Sequence, residues 1–337
     1  MPANPHLPYH PHGHVPAPGD PIAPAFLFPG QGSQQVGMGK ELAAMYPVAQ
    51  RTFEEADEAL GYKLSAICWE GPEDRLKLTE ITQPAILTFS IAVFRVLRDI
   101  GILPAFAAGH SLGEYSAHVA AGTFTFRDAV RVVRNRGKYM QEAVPVGEGA
   151  MAAVLGMDLE SVTQVCSEAS QGQVCEPANI NSPDQTVISG HKQAVERAAE
   201  LAKQRGAKRA ILLPVSAPFH CSLMRPAQER LETDLRSMQF NPLEVPIVSN
   251  VDAKFLDNPE TSRDALLRQV TGAVLWEKSM RALIARGVTS FLEVGPGKVL
   301  CGLMRQIDRS KICMNVEDEA TLQKAINHFG KAKTGTD

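Results

Sequence analysis

Residues 105–121 read AFAAGHSLGEYSAHVAA, and this stretch decides the fold. A short apolar run of buried-strand type leads into Gly109-His110-Ser111-Leu112-Gly113, which fits the pattern G-x-S-x-G, and a helical pattern follows. Strand, sharp turn and helix are the setting of a nucleophile elbow, which exposes a serine hydroxyl at the edge of a sheet. The alternative is a Gly-Ser turn that only caps a helix. The pattern makes Ser111 a candidate nucleophile and turns the N–H of Leu112 towards a developing oxyanion.

The same alternation of apolar, turn and helical segments continues on both sides of this stretch. Between residues 149 and 215 the order changes to strand, helix, strand, strand, helix, strand, which is the βαββαβ arrangement of a ferredoxin-like unit. The sequence therefore predicts an α/β fold with a smaller unit inserted into a larger one. The predicted segments are a catalytic domain at 25–146 and 217–330 and an inserted subdomain at 147–216.

The helix and strand patterns can be placed more closely in several segments. The predicted helices span residues 39–60, 84–100, 112–121, 127–144, 223–238, 263–270 and 277–286. The last strand of the inserted unit is predicted at residues 209–215, and a further strand at 291–294.

Length and composition indicate an ordinary soluble protein. The 337 residues suffice for about two domains, and 34 Lys+Arg against 37 Asp+Glu give a net charge of -3. A nucleic-acid-binding domain would carry a basic excess, and a membrane span would need about 18 consecutive apolar residues. The sequence has neither, so we expect no nucleic-acid partner and no membrane association. The six cysteines form no CxxC pair, which argues against a disulfide framework or a zinc site and fits inert thiols in a reducing cytoplasm.

Residues 1–24 are dominated by Pro, His and Gly and are predicted to form a disordered extension, because they cannot bury enough apolar surface to order themselves. The first basic residue is Lys40, so the segment lacks the basic region of a signal peptide. Its histidines could bind a transition metal weakly, although no partner ligands lie nearby in the sequence.

A serine hydroxyl needs a base to take its proton, so a histidine must approach Ser111 in space. His220 is the favoured candidate, because it lies in a loop directly after the last strand of the inserted unit, where the chain returns to the larger domain. A structural role for this histidine stays open. The other candidates are His110, His118, His191 and His328.

Arg136 is the clearest physical signal of a binding site. With about 100° per residue along the predicted helix 127–144, it falls at the centre of the apolar face. Burying an unpaired charge costs several kcal/mol, so an anion should meet this guanidinium. An internal carboxylate is one possibility, and a substrate carboxylate bound in bidentate fashion is the other. The apolar face consists of Ala129, Val132, Val133, Met140, Ala143 and Val144.

The chain resembles the malonyl-CoA:acyl carrier protein transacylase family from about residue 25 to beyond residue 315, and the resemblance rests on seven motifs. That family has an α/β-hydrolase-like domain carrying a ferredoxin-like insert, so the resemblance implies the same architecture here. The motifs are Phe28-Pro29-Gly30-Gln31-Gly32-Ser33-Gln34, Gly109-His110-Ser111-Leu112-Gly113-Glu114-Tyr115, Arg136-Gly137-Lys138, Asn179-Ile180-Asn181-Ser182-Pro183, Pro218-Phe219-His220, Ser249-Asn250-Val251-Asp252 and Glu293-Val294-Gly295-Pro296-Gly297.

The resemblance also implies a role for individual residues. Ser111 would be the acyl-accepting nucleophile, His220 the general base and acid, and Arg136 the clamp for the malonyl carboxylate. The N–H groups of Gln31 and Leu112 would form the oxyanion hole.

Three further positions match residues of the family that surround the substrate and the base. Asn181 and Phe219 would contact the substrate, and Phe219 resembles the residue of malonyl-selective members. In the family a main-chain carbonyl near a glutamine orients the histidine, and the matching position is Gln269. This would explain why no acidic residue between Ser111 and His220 stands out as a third member of a triad.

The implied reaction transfers a malonyl group from malonyl-CoA to the phosphopantetheine thiol of acyl carrier protein, by a ping-pong mechanism that supplies fatty acid biosynthesis. It needs no metal and no redox cofactor, and we expect a cytoplasmic monomer. Three alternatives remain: an esterase-type serine hydrolase, an acyltransferase that serves a polyketide assembly line, and a non-catalytic scaffold that keeps the fold.

Overall fold

The computed structural model describes residues 23–215 and 217–330 of the chain. The extension predicted to be disordered, residues 1–24, lies outside the described residues except for its last two positions. The described chain is a mixed α/β fold with one parallel and one antiparallel sheet.

The elements fall into three consecutive groups. The first group consists of β1 (Ala25–Phe28), α1 (Lys40–Met45), α2 (Pro47–Leu60), α3 (Leu64–Glu70), α4 (Glu73–Leu76), α5 (Thr79–Asp99), β2 (Phe106–Gly109), α6 (Leu112–Ala120) and α7 (Phe126–Glu142). The second consists of β3 (Gly149–Leu155), α8 (Leu159–Ser170), β4 (Cys175–Ser182), β5 (Gln185–His191), α9 (Lys192–Gln204) and β6 (Arg209–Leu212). The third begins with a 3₁₀ turn (Ser222–Met224) and continues with α10 (Arg225–Ser237), α11 (Pro259–Arg268), α12 (Trp276–Ala285), β7 (Ser290–Val294), α13 (Val299–Ile307), β8 (Ile312–Val316) and α14 (Glu319–Phe329).

The parallel sheet joins the first and third groups. Its strand order is β2-β1-β7-β8, and every neighbouring pair is parallel. Strand β1 is buried throughout, as expected for a short apolar strand covered on both faces. Phe28 at the end of β1 pairs with Gly109 at the end of β2. The two loops that follow these strands therefore leave the same edge of the sheet side by side.

The antiparallel sheet is built by the second group alone. Its order is β4-β5-β3-β6, with α8 and α9 packed against it over a separate apolar core. Strand β6 ends at Leu212, so it is three residues shorter than the sequence predicted. Residues 213–215 and 217–220 form no helix or strand, and His220 lies beside Ser111 at the edge of the parallel sheet.

Helix α5 is the central helix of the main core. It is the one helix of residues 23–215 and 217–330 with the length and composition of a membrane span, but 89% of its apolar window is buried inside the protein. It begins at Thr79, five residues before the predicted start, and accommodates Pro84 in its second turn. The predicted helix 39–60 is instead two helices, because Pro47 disfavours a helical conformation at Tyr46, which is extended at φ -119° and ψ 110°.

The prediction that all six cysteines are thiols is wrong for one pair. Cys301 on α13 and Cys313 on β8 form a disulfide with their Cα atoms 5.3 Å apart. A spacing of twelve residues matches no short cysteine motif, so only the packing of α13 beside β8 brings the two together. The other four cysteines are free and buried.

Candidate active site

Ser111 lies at a strained turn between β2 and α6. Its backbone has φ 52° and ψ -108°, a positive φ that is rare for any residue with a side chain. Glycines on both sides make the turn possible. A Cβ on Gly109 would lie 1.9 Å from the carbonyl carbon of Gly113, and a Cβ on Gly113 would lie 2.0 Å from the carbonyl oxygen of Phe28. The backbone therefore leaves no room for a side chain at either glycine of the G-x-S-x-G pattern. The turn projects the Ser111 hydroxyl from the sheet edge.

His220 reaches Ser111 from the loop that follows β6. Its Nε2 lies 2.7 Å from Ser111 Oγ, and its Nδ1 lies 2.9 Å from the main-chain carbonyl oxygen of Gln269. A carbonyl can only accept, so Nδ1 carries the proton and Nε2 is left free to accept the serine proton. His220 is only 4% exposed. Burial, and after it the Arg136 cation, lower the pKa of His220 to about 3, which keeps the ring neutral at physiological pH.

Arg136 lies on the buried face of α7, 1% exposed. Its Nη2 donates to Ser111 Oγ over 3.2 Å and to Gln269 Oε1 over 2.9 Å, and its Nη1 donates to Gln83 Oε1 over 2.8 Å. All three acceptors are uncharged side-chain groups. Within the described ranges, the α7 residues that form salt bridges are Arg127, Arg134, Lys138 and Glu142, and Arg136 is not among them.

The Arg136 guanidinium therefore lacks the internal carboxylate partner that one interpretation of the sequence required. Its Nε also has no hydrogen-bond partner among residues 23–215 and 217–330. Burial lowers the pKa of Arg136, but an arginine in a protein stays protonated. The site thus presents a buried positive charge beside the candidate nucleophile.

The side chain of Asn250 binds the backbone on both sides of the Ser111 turn. Its Nδ2 donates to the carbonyl oxygen of Gly109 over 2.7 Å, and its Oδ1 accepts from the N–H of Ser111 over 2.7 Å. The motif around Asn250 was visible in the sequence, but nothing in the sequence connected it to Ser111. Gln83, the other polar partner that the prediction missed, left no signal of its own, because it lies one residue before the predicted helix 84–100 and its burial is seen only in the structure.

Gln31 and Leu112, the residues predicted to form an oxyanion hole, both line the pocket around Ser111. Gly113 and Glu114, which follow Leu112 in the first turn of α6, donate their N–H groups to the carbonyl oxygens of His110 and Ser111. In the described part of the chain no acceptor takes the N–H of Leu112 or that of Gln31. Two free donors at the mouth of a pocket, one of them at a helix N-terminus, are suited to an oxyanion.

A pocket of about 120 Å³ surrounds Ser111 and is lined by residues from the first two groups of elements and from the loop after β6. Phe219 lies on its wall, whereas Asn181, the other residue predicted to contact the substrate, does not line it. Asn181 Oδ1 lies 2.8 Å from His110 Nε2, and Asn179 of the same strand lines the pocket instead. No group of three His, Cys, Asp or Glu side chains suited to a metal ion occurs in residues 23–215 and 217–330. The wall is completed by Gln31, Gln83, His110, Leu112, Arg136, Met140, Met151, Leu213, Val215 and His220.

Comparisons with known proteins give the family. Residues 25–330 match the sequence family described as an acyl transferase domain. The malonyl CoA-acyl carrier protein transacylase of Escherichia coli K12 is 55% identical over 284 residues, which cover 84% of this chain and 92% of that protein.

Two solved structures agree with this match over nearly the whole fold. The malonyl CoA-acyl carrier protein transacylase of Coxiella burnetii superposes with a TM-score of 0.90 at 44% identity, covering 92% of this chain and 98% of that one. A malonyl-transacylase in complex with a type II PKS acyl-carrier protein superposes with a TM-score of 0.89 at 47% identity, covering 90% of this chain and 99% of that one. The chain described here therefore belongs to the malonyl-CoA–acyl carrier protein transacylases of the acyl transferase family.

Proposed function

We propose that this chain transfers a malonyl group from malonyl-CoA to the phosphopantetheine thiol of an acyl carrier protein, through a malonyl ester on Ser111. The observation that carries the proposal is the buried Arg136 guanidinium, which has no carboxylate partner in the described residues and lies 3.2 Å from the Ser111 hydroxyl. A diacid monothioester has the missing carboxylate at one end and the reactive carbonyl at the other. The relatives named malonyl CoA-acyl carrier protein transacylase support malonyl-CoA as the substrate.

The first half-reaction acylates the serine. His220 Nε2 takes the hydroxyl proton, and Ser111 Oγ attacks the thioester carbonyl. The N–H groups of Gln31 and Leu112 hold the oxyanion of the tetrahedral intermediate, and one such donor contributes roughly 3 kcal/mol in comparable sites. The intermediate collapses when the C–S bond breaks, and the proton on His220 passes to the leaving CoA thiolate.

The second half-reaction repeats these steps in reverse with a different thiol. His220 takes the proton of the phosphopantetheine thiol, whose sulfur attacks the malonyl ester, and the proton returns to Ser111 Oγ as the ester bond breaks. Arg136 keeps the free carboxylate in place in both halves. The carbonyl of Gln269 fixes the His220 ring in the one tautomer that both halves require.

We also propose that the chain is divided into two structural units. Residues 25–146 and 217–330 would form an α/β-hydrolase-like catalytic domain, and residues 147–216 a ferredoxin-like insert. The unbroken βαββαβ order of the second group and its separate apolar core support this boundary. We further propose that the chain works as a monomer in the cytoplasm, where it supplies malonyl units for fatty acid synthesis.

Mass spectrometry of the intact chain tests the function. Brief incubation with malonyl-CoA should add one malonyl group, and peptide mapping should place it on Ser111. Addition of a phosphopantetheinylated acyl carrier protein should remove the adduct and produce the malonyl carrier. Ser111→Ala is the matched control and should take up no malonyl group. An adduct that water removes as fast as the carrier thiol does would identify a hydrolase, and the absence of any adduct on Ser111 would refute the proposal.

A polyketide carrier is a second candidate partner. It is favoured by the 0.89 TM-score similarity to a malonyl-transacylase in complex with a type II PKS acyl-carrier protein. The two candidates share the chemistry and differ in the thiol carrier of the second half-reaction. Transfer rates from malonyl-Ser111 to a fatty acid carrier and to a polyketide carrier, measured side by side, distinguish them.

A further inference from the structure

The side-chain amide of Gln269 lies between a buried cation and a buried carboxyl group. Its Oε1 accepts from Arg136 Nη2 over 2.9 Å. Its Nε2 donates to Glu114 Oε2 over 2.6 Å and to the carbonyl oxygen of Ser111 over 2.9 Å. Gln269 and Glu114 are both fully buried, so water does not replace any of these partners.

These contacts allow only one orientation of the amide. If it were turned by 180°, its NH₂ would face the Arg136 guanidinium, and its oxygen would face Glu114 Oε2 and the Ser111 carbonyl. Two donors would then meet at one end and several acceptors at the other, which would leave buried polar groups without partners. The short contact to Glu114 is the strongest part of this constraint, since hydrogen bonds to carboxylates are stronger than those between neutral groups.

Glu114 is itself held firmly in the first turn of α6. Its Oε2 also accepts from the N–H of Asn250 over 3.3 Å, and its Oε1 has no partner within residues 23–215 and 217–330. Burial raises the pKa of Glu114 to about 7, against the opposing effects of the Gln269 and Asn250 hydrogen bonds and the Arg136 charge. Oε2 accepts two hydrogen bonds, so a proton taken up at lower pH would reside on Oε1. The acceptor that Gln269 needs is therefore present in both protonation states.

We propose that Glu114 is a positioning residue for malonyl selectivity, in that its Oε2 fixes the Gln269 amide so that Gln269 Oε1 holds Arg136 Nη2 beside the Ser111 hydroxyl. The inference rests on the proposed function and adds a residue to it. Glu114 contacts neither the hydroxyl nor the guanidinium in the hydrogen bonds and salt bridges of the structure, and acts through Gln269.

The amide also keeps the carboxyl group of Glu114 one side chain away from Arg136. A carboxylate bound directly to the guanidinium would occupy the position that a malonyl carboxylate needs. With the amide between them, the cation has a fixed neutral acceptor and remains available to an acidic substrate. The contact that orients His220 comes from the main chain of Gln269, so it does not depend on how the Gln269 side chain is turned.

The test compares acylation of Ser111 by malonyl-CoA and by acetyl-CoA in three variants. Glu114→Ala should lower kcat/KM for malonyl-CoA about tenfold, because a small misplacement of a positioning group has effects of this size, while kcat/KM for acetyl-CoA changes less than about threefold. Glu114→Gln offers an oxygen in place of Oε2 and should restore the malonyl value to within about threefold of the parent. Ser116→Ala, which changes another buried polar side chain of α6, is the matched control and should leave both values unchanged.

A second variant keeps the test valid if Glu114→Ala does not fold. Gln269→Met removes the amide and keeps the carbonyl that faces His220, so it should give the same selective loss of malonyl transfer. Where both variants fold, the double variant should lose no more than either single one, because both changes break one chain of contacts.

Several outcomes would overturn the inference: an equal loss with both substrates, no loss with either, or a Glu114→Gln variant as poor as Glu114→Ala. The parental chain separates this question from the previous one. If the parent itself forms no malonyl adduct on Ser111, the proposed function fails. If the parent forms the adduct and the ratio of kcat/KM for malonyl-CoA to that for acetyl-CoA is the same in Glu114→Ala as in the parent, only the role of Glu114 fails.

Discussion

Replacement of Arg136 by alanine is the most direct perturbation of the site. The side chain is 1% exposed and its three hydrogen-bond acceptors are neutral, so a bound malonyl carboxylate would have the guanidinium as its charged partner. Arg136→Ala would leave that carboxylate in a buried pocket without a cation. The variant should therefore lose malonyl transfer and keep the groups that act on the thioester carbonyl, which are Ser111 and His220.

The size of the loss in malonyl transfer follows from the burial of the ion pair between Arg136 and the malonyl carboxylate. Removing one partner of a buried, hydrogen-bonded charge pair costs about 2–5 kcal/mol. With 1.36 kcal/mol for each factor of ten, malonyl kcat/KM should fall by about 30-fold to several thousand-fold. Acetyl-CoA has no carboxylate, and the pocket of the variant is neutral. Acetyl transfer should therefore be unchanged or faster, so that the preference between the two substrates narrows or reverses.

The assay is quenched-flow acylation of Ser111, read by intact mass, with each CoA ester in turn. Lys138→Ala is the matched control, since it removes a positive charge from the exposed face of the same helix. Thermal unfolding of each variant shows that the fold is retained. Equal losses with malonyl-CoA and acetyl-CoA would refute the reasoning, because a carboxylate clamp cannot assist a substrate that has no carboxylate.

The other predictions concern the base and the turn. Because the pKa of His220 is lowered to about 3, the ring stays neutral on acidification. The rate of acylation by acetyl-CoA should therefore be constant between about pH 8 and pH 5 and decline only below that range. A fall in this rate near pH 6.5 would contradict the assignment of His220 as the base. Gly113→Ala should lower the free energy of unfolding by at least about 1–3 kcal/mol, measured by denaturant titration, because its Cβ would overlap the Phe28 carbonyl. Asn250→Ala should lower it by about 1–3 kcal/mol in the same titration, since two backbone groups of the turn lose their partner, and an unchanged midpoint would show that water replaces the amide.

The order of elements could be predicted because it depends on local patterns. The strand before Ser111, the helix after it and the buried face of α7 all follow from hydrophobic period and from glycine spacing. Ends of elements were harder, as the break at Tyr46 and the early start of α5 show. Such ends depend on the conformation of single residues, as at Tyr46 before Pro47, and the hydrophobic period does not report that conformation.

The site itself was predictable only in part. The burial of Arg136 could be predicted from its position on a helix face, and the loop position of His220 already favoured it over the other histidines. The resemblance to a family then implied a role for each of the two residues. Gln83 and Asn250 come from segments far from Ser111 in sequence, 28 positions before it and 139 after it. Only tertiary packing brings these amides to the turn, so no local pattern could have indicated their contacts. The disulfide between Cys301 and Cys313 escaped prediction for the same reason.

The acceptor that aligns His220 has a consequence for how the site responds to mutation. It is a peptide oxygen, which every amino acid at position 269 carries, so no single substitution there deletes it. In hydrolases built on an acidic third residue, one nucleotide change can erase that member of the machinery. If the proposed mechanism holds, substitutions at position 269 would change which acyl chain is accepted while proton transfer continues. The side chain and the main chain of one residue would then serve separate purposes, selectivity and catalysis.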